Sequence, residues 1–409
     1  MSSFTWLAVD RRQHRRMMEL VDQFRDASTV DDLGFGPIRD AWADRLFPGT
    51  STLHTRVRYA LFIAWLLRRA ERKETVEGIL ADFREGEFQL MGALRAGLGE
   101  DLTGLIGRDA GRSLKRLPSV VYWGMLVEWG IVHRGHSARE HAERVLLDRE
   151  AARRAPVGDD EGHSSLSLGH LDPRLPPAPP GLLRETDFVL THVEADYLRT
   201  MIGAHSPHSL LAHLIENPPR GWAAEGALPN SLDELMTEEL PEQLHRTLAA
   251  AVRFSRLAHV ANLIYNVLLA EASDRTDDDG APLAARHRES LGSAWEVYRS
   301  GDSFRLDDLE LINTPGRAPR PIRASDLEFL SRWAETVAVA DSPAALADDR
   351  TARRLIEERE LRKKGRLARL RNHSRLDQWN GGSGLGRMEF RWADTRTHLQ
   401  DLYTALEAD

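Results

Sequence analysis

Apolar residues recur at the spacing of an α-helix over most of the chain, and this periodicity restricts the fold more than any other feature. Residues 11–27 show the pattern, and residues 241–272 give its longest example, with Leu244, Leu248 and Val252 on one stripe. Alternation of apolar and polar residues, which would indicate β-strands, is scarce. The sequence therefore predicts a mainly α, multi-helical protein.

A segment rich in proline, glycine, serine and acidic residues interrupts the helical pattern at residues 150–186. It contains DDEGHSS and PRLPPAPPGLL, and its prolines disfavour a helix or a central strand. We predict that it is an interdomain linker. The chain then has two lobes, an N-terminal helical domain at residues 1–149 and a C-terminal helical domain at residues 187–409.

The composition limits the classes of partner. The 409 residues carry a formal net charge of -8, which argues against a uniformly basic nucleic-acid-binding protein but not against local basic patches. The absence of cysteine excludes disulfides, thiolate metal sites and a cysteine nucleophile. The N-terminal sequence lacks the apolar core of a signal peptide, and no apolar run reaches about 18 residues. We therefore expect a cytoplasmic protein with no membrane contact.

Residues 101–132 show a short helix, a turn, a second helix and a short apolar exit, an order typical of a winged-helix module. Four cations before the last helix could neutralise the phosphates of bound DNA. They are Arg108, Arg112, Lys115 and Arg116. The last helix, SVVYWGMLVEWG, is mostly apolar and has few groups that could read base edges. Structural packing or a protein interface is therefore the alternative to DNA binding here.

Three further groups of cations are candidates for phosphate contacts. They are Arg56 and Arg58 beside a helix start, Lys363, Lys364, Arg366 and Arg369 in the basic tract between Arg353 and Arg375, and Arg387 and Arg391 in the glycine-rich loop WNGGSGLGRMEFRW. Helix starts and glycine-rich loops can bind anions through backbone N–H groups. Each group also has a plainer interpretation, namely solvated arginines, a mixed-charge helical face, and a turn that buries Trp379 and Trp392.

Motifs of a catalytic or metal centre are missing from the sequence. The glycine-rich loop lacks the preceding strand and the immediately following helix that a dinucleotide-binding turn requires. The histidines at residues 133–141 and 205–213 do not form the HExxH pattern of zinc hydrolases. We therefore expect no cofactor, no metal and no catalytic residue, and a nuclease is the less favoured enzymatic alternative.

Three segments together resemble an uncharacterised bacterial family that is catalogued as a domain of unknown function. They are IRDAWADRLFPGTSTLHTRVRYALFIAWLL, GLIGRDAGRSLKRLPSVVYWGMLVEWGI and LDQWNGGSGLGRMEFRW. The resemblance implies an accessory protein of antiphage defence loci, encoded near helicase-like and phospholipase-D-like nuclease genes. It supplies no catalytic residues.

Two non-enzymatic functions follow from these observations. The first is a defence component that binds DNA, or a DNA-bound partner, through its basic patches, with salt-dependent and weakly sequence-selective affinity. The second is a structural adaptor that scaffolds a helicase or nuclease without touching DNA.

Overall fold

A computed structural model of the protein describes residues 31–133, 137–154, 170–219, 221–224, 226–277, 279–312 and 322–407. Helices dominate these residues and no β-strand forms in them. Extended residues pair there only at the isolated bridges Val132–Leu171 and Thr276–Pro282. The prediction of a mainly α protein is therefore confirmed, while the helix predicted at residues 11–27 lies outside the described residues.

The described α-helices are, in chain order, α1 (Gly36–Leu46), α2 (Tyr59–Ala70), α3 (Val76–Leu98), α4 (Pro118–Glu128), α5 (Ala138–Arg154), α6 (His192–His205), α7 (Leu210–Glu216), α8 (Leu232–Leu235), α9 (Glu242–Ser273), α10 (Leu283–Arg299), α11 (Ala324–Ala338), α12 (Pro343–Asp348), α13 (Arg350–Lys364), α14 (His373–Leu376) and α15 (Trp392–Leu406). Side-chain caps mark many of their starts. Thr75 accepts the N–H of Gly78 at α3, and Thr191 forms a capping box with Glu194 at α6.

The described residues divide into two compact units. Unit 1 contains those within residues 47–228 and 393–407, and unit 2 contains those within residues 31–46 and 229–392. The domain boundaries predicted from composition, at the two ends of residues 150–186, both fall inside the sequence range of unit 1. Those boundaries stay a prediction about which parts of the chain fold independently.

The core of unit 1 is built around α2. Ten of its twelve residues are buried, and it packs against α3 and α4. A helix that is apolar on all sides is stable only when protein surrounds it. The apolar run at residues 59–67 is therefore a core helix.

Part of the proline-rich segment packs on α2. The indole N–H of Trp65 donates to the carbonyl of Pro176 at 2.7 Å, and Arg68 donates to the carbonyls of Asp172 and Leu175 at 3.1 Å each. Leu175 is itself buried. Side chains of α2 thus satisfy carbonyls of this irregular backbone, which lacks the regular pairing of a helix or sheet.

Gly97 on α3 lets the end of this segment approach the helix backbone. A Cβ atom at position 97 would lie 2.1 Å from the carbonyl oxygen of Thr186. We expect Gly97→Ala to lower the free energy of unfolding by about 1–3 kcal/mol, because the backbones must separate. Gly92 is the matched control on the same helix, since nothing lies within 4 Å of its added Cβ. Gly92→Ala should stabilise the protein by about 0.5–1 kcal/mol. Urea titrations measure the free energy of unfolding of both variants, and equal changes in the two would contradict the close packing of Thr186 against Gly97.

Unit 2 is organised around the long helix α9. This helix starts after Pro241 and ends at Asp274, which adopts a left-handed conformation with φ of 49°. It packs most extensively against α10, and also contacts α1, α8 and α13. The apolar stripe predicted at residues 241–272 is therefore the centre of the unit.

The last helix of the winged-helix-like segment is α4, and it lies in the core of unit 1. Val121, Tyr122, Met125 and Leu126 on it are all buried. In the described residues the apolar exit after α4 forms only the single bridge at Val132, so no wing strand is present. The winged-helix detail of the fold prediction is not confirmed.

Candidate nucleic-acid interface

Carboxylates of unit 1 hold the two cations at the start of α2. Arg56 donates to both oxygens of Asp401, with Nη2–Oδ1 at 2.7 Å and Nε–Oδ2 at 3.0 Å. Arg58 donates to Glu194 at 2.9 Å and to Asp187 at 3.0 Å, and its side chain is 7% exposed. These pairs stabilise the unit, and a phosphate would have to compete with the carboxylates already bound.

Most cations of the basic tract are paired within unit 2. Lys363 donates to Asp326 at 2.7 Å. Asp32 forms ion pairs with two of the other cations, Lys364 at 3.3 Å and Arg369. Asp32 and Asp326 are both buried. Removal of these cations would therefore leave uncompensated buried carboxylates and disturb the fold as well as any phosphate contact.

The titration of Asp326 reflects this pairing. Burial alone would raise its pKa, but hydrogen bonds from Lys363 and Arg359 hold the pKa below the ordinary value of a carboxyl group. Arg366 differs from the paired cations Lys363, Lys364 and Arg369 of the same tract. Its side chain is exposed, and within the described ranges no carboxylate pairs with it.

The glycine-rich loop turns the chain between two buried indoles. Trp379 and Trp392 are 1% and 0% exposed, as the turn interpretation predicted. The indole N–H of Trp392 donates to the carbonyl of Pro229 at 3.0 Å. The loop therefore joins two anchored points of unit 2.

The two arginines of this loop bind carboxylates of unit 2. Arg387 contacts Asp233 and, at 3.4 Å, Glu389. Arg391 donates to Asp44 at 2.7 Å. The proposed phosphate contacts of Arg387 and Arg391 would thus require these ion pairs to open.

The remaining predicted cations of unit 1 lie on the loop after α3, and we call these cations together with three residues of α3 the α3 patch. Its members are Arg84, Phe88 and Arg95 on α3 and Arg108, Arg112, Lys115 and Arg116 on the loop between α3 and α4. Arg108 and Arg112 have side chains that are 57% and 71% exposed, and Lys115 is exposed as well. Arg95 donates to the backbone carbonyl of Arg108, and Arg108 and Arg112 pair with Asp109 and Glu85 respectively.

An aromatic ring lies among the cations of the α3 patch. The guanidinium carbons of Arg112 and Arg84 lie 5.2 Å and 5.7 Å from the centroid of the Phe88 ring. Arg112 also forms a two-pronged pair with Glu85 at 2.6 Å and 3.0 Å, and this hydrogen bond lowers the pKa of the Glu85 carboxyl. Cations beside a half-buried ring provide phosphate contacts and a partial face on which a base can stack.

The loop that carries the patch is anchored to the core. Tyr59 accepts the N–H of Ile106 at 3.0 Å, and Thr55 donates to the carbonyl of Gly104 at 2.7 Å. Gly104 and Gly107 have φ of 88° and 83°, a conformation that favours glycine. The cations therefore stand on a fixed loop, which lowers the entropic cost of binding.

Sequence reasoning found the loop cations of this surface and missed the three residues that α3 contributes. Arg84, Phe88 and Arg95 are separated by four and seven positions, a spacing that places them on one helical face. That spacing was the available signal. The spacing becomes informative only when the loop between α3 and α4 is known to pack against the face of α3 that carries these three residues.

The described ranges contain neither a candidate metal site nor a candidate membrane-spanning helix. No three His, Asp or Glu side chains there are grouped so that they could hold a metal ion. Every helix there is too short or too polar to cross a lipid bilayer.

The geometry defines a mainly helical protein with exposed cations on the loop after α3 and the ring of Phe88 beside two arginines. The chain belongs to DUF6361, a family of unknown function, which matches residues 1–405. The resemblance to a family of unknown function is thereby confirmed, and its association with antiphage defence stays a prediction. No curated protein and no solved structure matches the chain.

Proposed function

We propose that the protein binds DNA through the α3 patch, as a non-enzymatic accessory component of a bacterial antiphage defence system in the cytoplasm. The observation that carries this proposal is the group of six cations on α3 and the loop after it, two of which lie beside the ring of Phe88, on an otherwise acidic chain. The resemblance to proteins of defence loci supports the biological setting.

Charge and geometry favour a nucleic-acid backbone over an acidic protein as the occupant. Guanidinium groups bind phosphates through two parallel hydrogen bonds, and Arg108, Arg112 and Arg116 stand within nine residues of one another. The half-buried ring of Phe88 adds a stacking surface that an unpaired base can use. We therefore expect single-stranded DNA to bind at least as tightly as duplex DNA, with little sequence preference.

The test is fluorescence anisotropy with labelled single-stranded and duplex DNA, between about 50 and 200 mM salt. We expect the triple variant Arg108→Ala, Arg112→Ala, Lys115→Ala to bind at least about tenfold more weakly at low salt. The slope of log affinity against log salt should fall by about 2–3, because about three phosphate contacts are lost.

A matched control removes three exposed cations from unit 2, through Arg246→Ala, Arg354→Ala and Arg362→Ala. Arg354 and Arg362 are 79% and 50% exposed, so the control changes the net charge equally without opening a buried pair. The control should retain wild-type affinity and slope. Equal losses in both triple variants, or wild-type binding by the patch variant, would contradict a role for the α3 patch.

A structural adaptor is the second candidate, and the internal ion pairs favour it. Seven predicted phosphate contacts bind carboxylates of their own unit, namely Arg56, Arg58, Lys363, Lys364, Arg369, Arg387 and Arg391. An adaptor would form a stoichiometric complex with a helicase-like or nuclease protein of the same locus after nuclease treatment. Size-exclusion chromatography of the purified proteins would detect it, and the absence of DNA binding at low salt would favour it over the first candidate.

A further inference from the structure

Unit 2 contains a pocket of about 750 Å³ between α9, α10 and the glycine-rich loop. This volume lies in the range of about 300–1,000 Å³ typical of small-molecule sites. One wall is aliphatic and includes Leu263, Leu283, Ala294 and Val297. The loop residues 380–382 form another wall, so the pocket offers apolar and polar surfaces side by side.

Two histidines, the buried His287 and the half-buried His259, fix the loop beside the pocket. Nε2 of His287 lies 2.9 Å from the carbonyl oxygen of Gly381, and Nε2 of His259 lies 2.9 Å from that of Leu385. A carbonyl only accepts hydrogen bonds, so Nε2 carries the proton in both rings. Burial lowers the pKa of both imidazoles, which keeps them neutral donors at neutral pH.

A third side chain completes this attachment and leaves the loop with free donors. Asn266 donates to the carbonyl of Ser383 at 2.7 Å and accepts its N–H at 2.8 Å. Alternate loop carbonyls therefore face the helices, and in a trans peptide the following N–H points the opposite way. These are the N–H groups of Gly382, Gly384 and Gly386, and within the described part of the chain they meet no acceptor.

Two arginines and one aspartate line the pocket. Arg286 is exposed at its edge, and no carboxylate in the described part of the protein pairs with it. Arg387 also lines the pocket and is paired with Asp233. Asp277 is the one carboxylate among the lining residues, and its Oδ1 already accepts the N–H of Ala281 at 2.8 Å. An anion entering the pocket would therefore meet the guanidinium of Arg286, and among the described lining residues Asp277 carries the one opposing charge.

We infer that this pocket binds a small organic phosphate. Arg286, the N–H of Gly382 and the side-chain amide of Asn380 hold the phosphate, and the aliphatic wall covers the organic part. Backbone N–H groups in a glycine-rich turn suit a tetrahedral anion that accepts from several directions. The described lining residues include no Phe, Tyr or Trp, so an aliphatic or sugar phosphate fits better than a ligand that needs a stacked base.

Isothermal titration calorimetry tests the inference with inorganic phosphate, glucose 6-phosphate and glucose. We expect inorganic phosphate to bind, glucose 6-phosphate to bind more tightly, and glucose not to bind. Arg286→Ala should weaken both phosphate ligands by about tenfold or more, because a charge-assisted contact is lost. Arg299→Ala is the matched control, since Arg299 lies on the same helix outside the pocket, over the ring of Trp295.

The α3-patch triple variant separates this site from the proposed DNA-binding surface. It should bind both phosphate ligands as tightly as the wild type, so the two proposals can fail separately. Absence of phosphate binding, or equal affinity in wild type and Arg286→Ala, would overturn the inference. Loss of binding in the α3-patch variant alone would place the phosphate on the other surface and overturn it as well.

Discussion

Arg359→Ala should lower the free energy of unfolding by about 3–5 kcal/mol, because it leaves buried acceptors without their donor. The Arg359 side chain is 1% exposed. It donates to the carbonyls of Leu33 and Gly34 at 2.7 Å and 3.2 Å and to Asp326 at 2.6 Å, and its guanidinium lies 4.6 Å from the centroid of the Phe329 ring. One guanidinium thus joins α11, α13 and the residues before α1.

The control for this variant is Arg362→Ala, three residues further along α13. Arg362 is 50% exposed and pairs with Glu328 only at 3.9 Å, so its loss should cost less than about 1 kcal/mol. Arg359→Lys should fall between the two, since an ammonium keeps the charge but cannot reach all three acceptors in a planar fork. Urea titrations that gave equal costs for positions 359 and 362 would show that the buried network contributes little.

The helical class could be predicted from the sequence because helix formation leaves a local signature. The stripe at residues 241–272 became α9, and the apolar run at residues 59–67 became the core helix α2. Burial of Trp379 and Trp392 was predictable in the same way, because large apolar side chains on both sides of a turn have few other stable environments.

The roles of the individual cations could not be predicted, because ion pairing depends on residues far apart in the chain. Arg56 and Asp401 are separated by 345 positions, and Arg369 and Asp32 by 337. A local count of charges describes the tract containing Arg369 as basic. Folding places aspartates from the N-terminal side of α1 and from α11 against it and removes most of that excess.

The proline-rich segment shows a second limit of composition. Its prolines exclude a helix, and that part of the prediction rests on the geometry of the ring. Composition could not reveal that Trp65 and Arg68 would satisfy carbonyls of the segment and seat Leu175 in the core. Irregular backbone can be packed tightly when side chains of a neighbouring helix provide its hydrogen bonds.

Glu87 on α3 is the second site where a large effect is expected, and the effect depends on pH. Its carboxylate is fully buried and accepts the N–H and the hydroxyl of Ser119 at 2.7 Å and 3.0 Å. Burial raises the pKa of Glu87 to about 8, although Ser119 and the charge of Arg84 act in the opposite direction. The carboxyl group is therefore mostly protonated in the folded protein at neutral pH.

Because the pKa of Glu87 is about 8 in the folded protein against 4.5 for an ordinary glutamate, the folded state binds the extra proton between these values. The stabilisation by this group is complete below about pH 4.5 and is lost as the pH rises through about 8. Glu87→Gln keeps the acceptor for the N–H of Ser119 and places an amide donor beside its hydroxyl, as the protonated acid does. We expect wild type and variant to be similarly stable near pH 5, and the variant to be more stable near pH 9 by on the order of 4 kcal/mol. Urea titrations across this pH range measure the difference in free energy of unfolding between wild type and variant, and this difference isolates Glu87 from the other titrating groups. If the stability of the two proteins changed with pH in the same way, a neutral buried carboxyl group at position 87 would be ruled out.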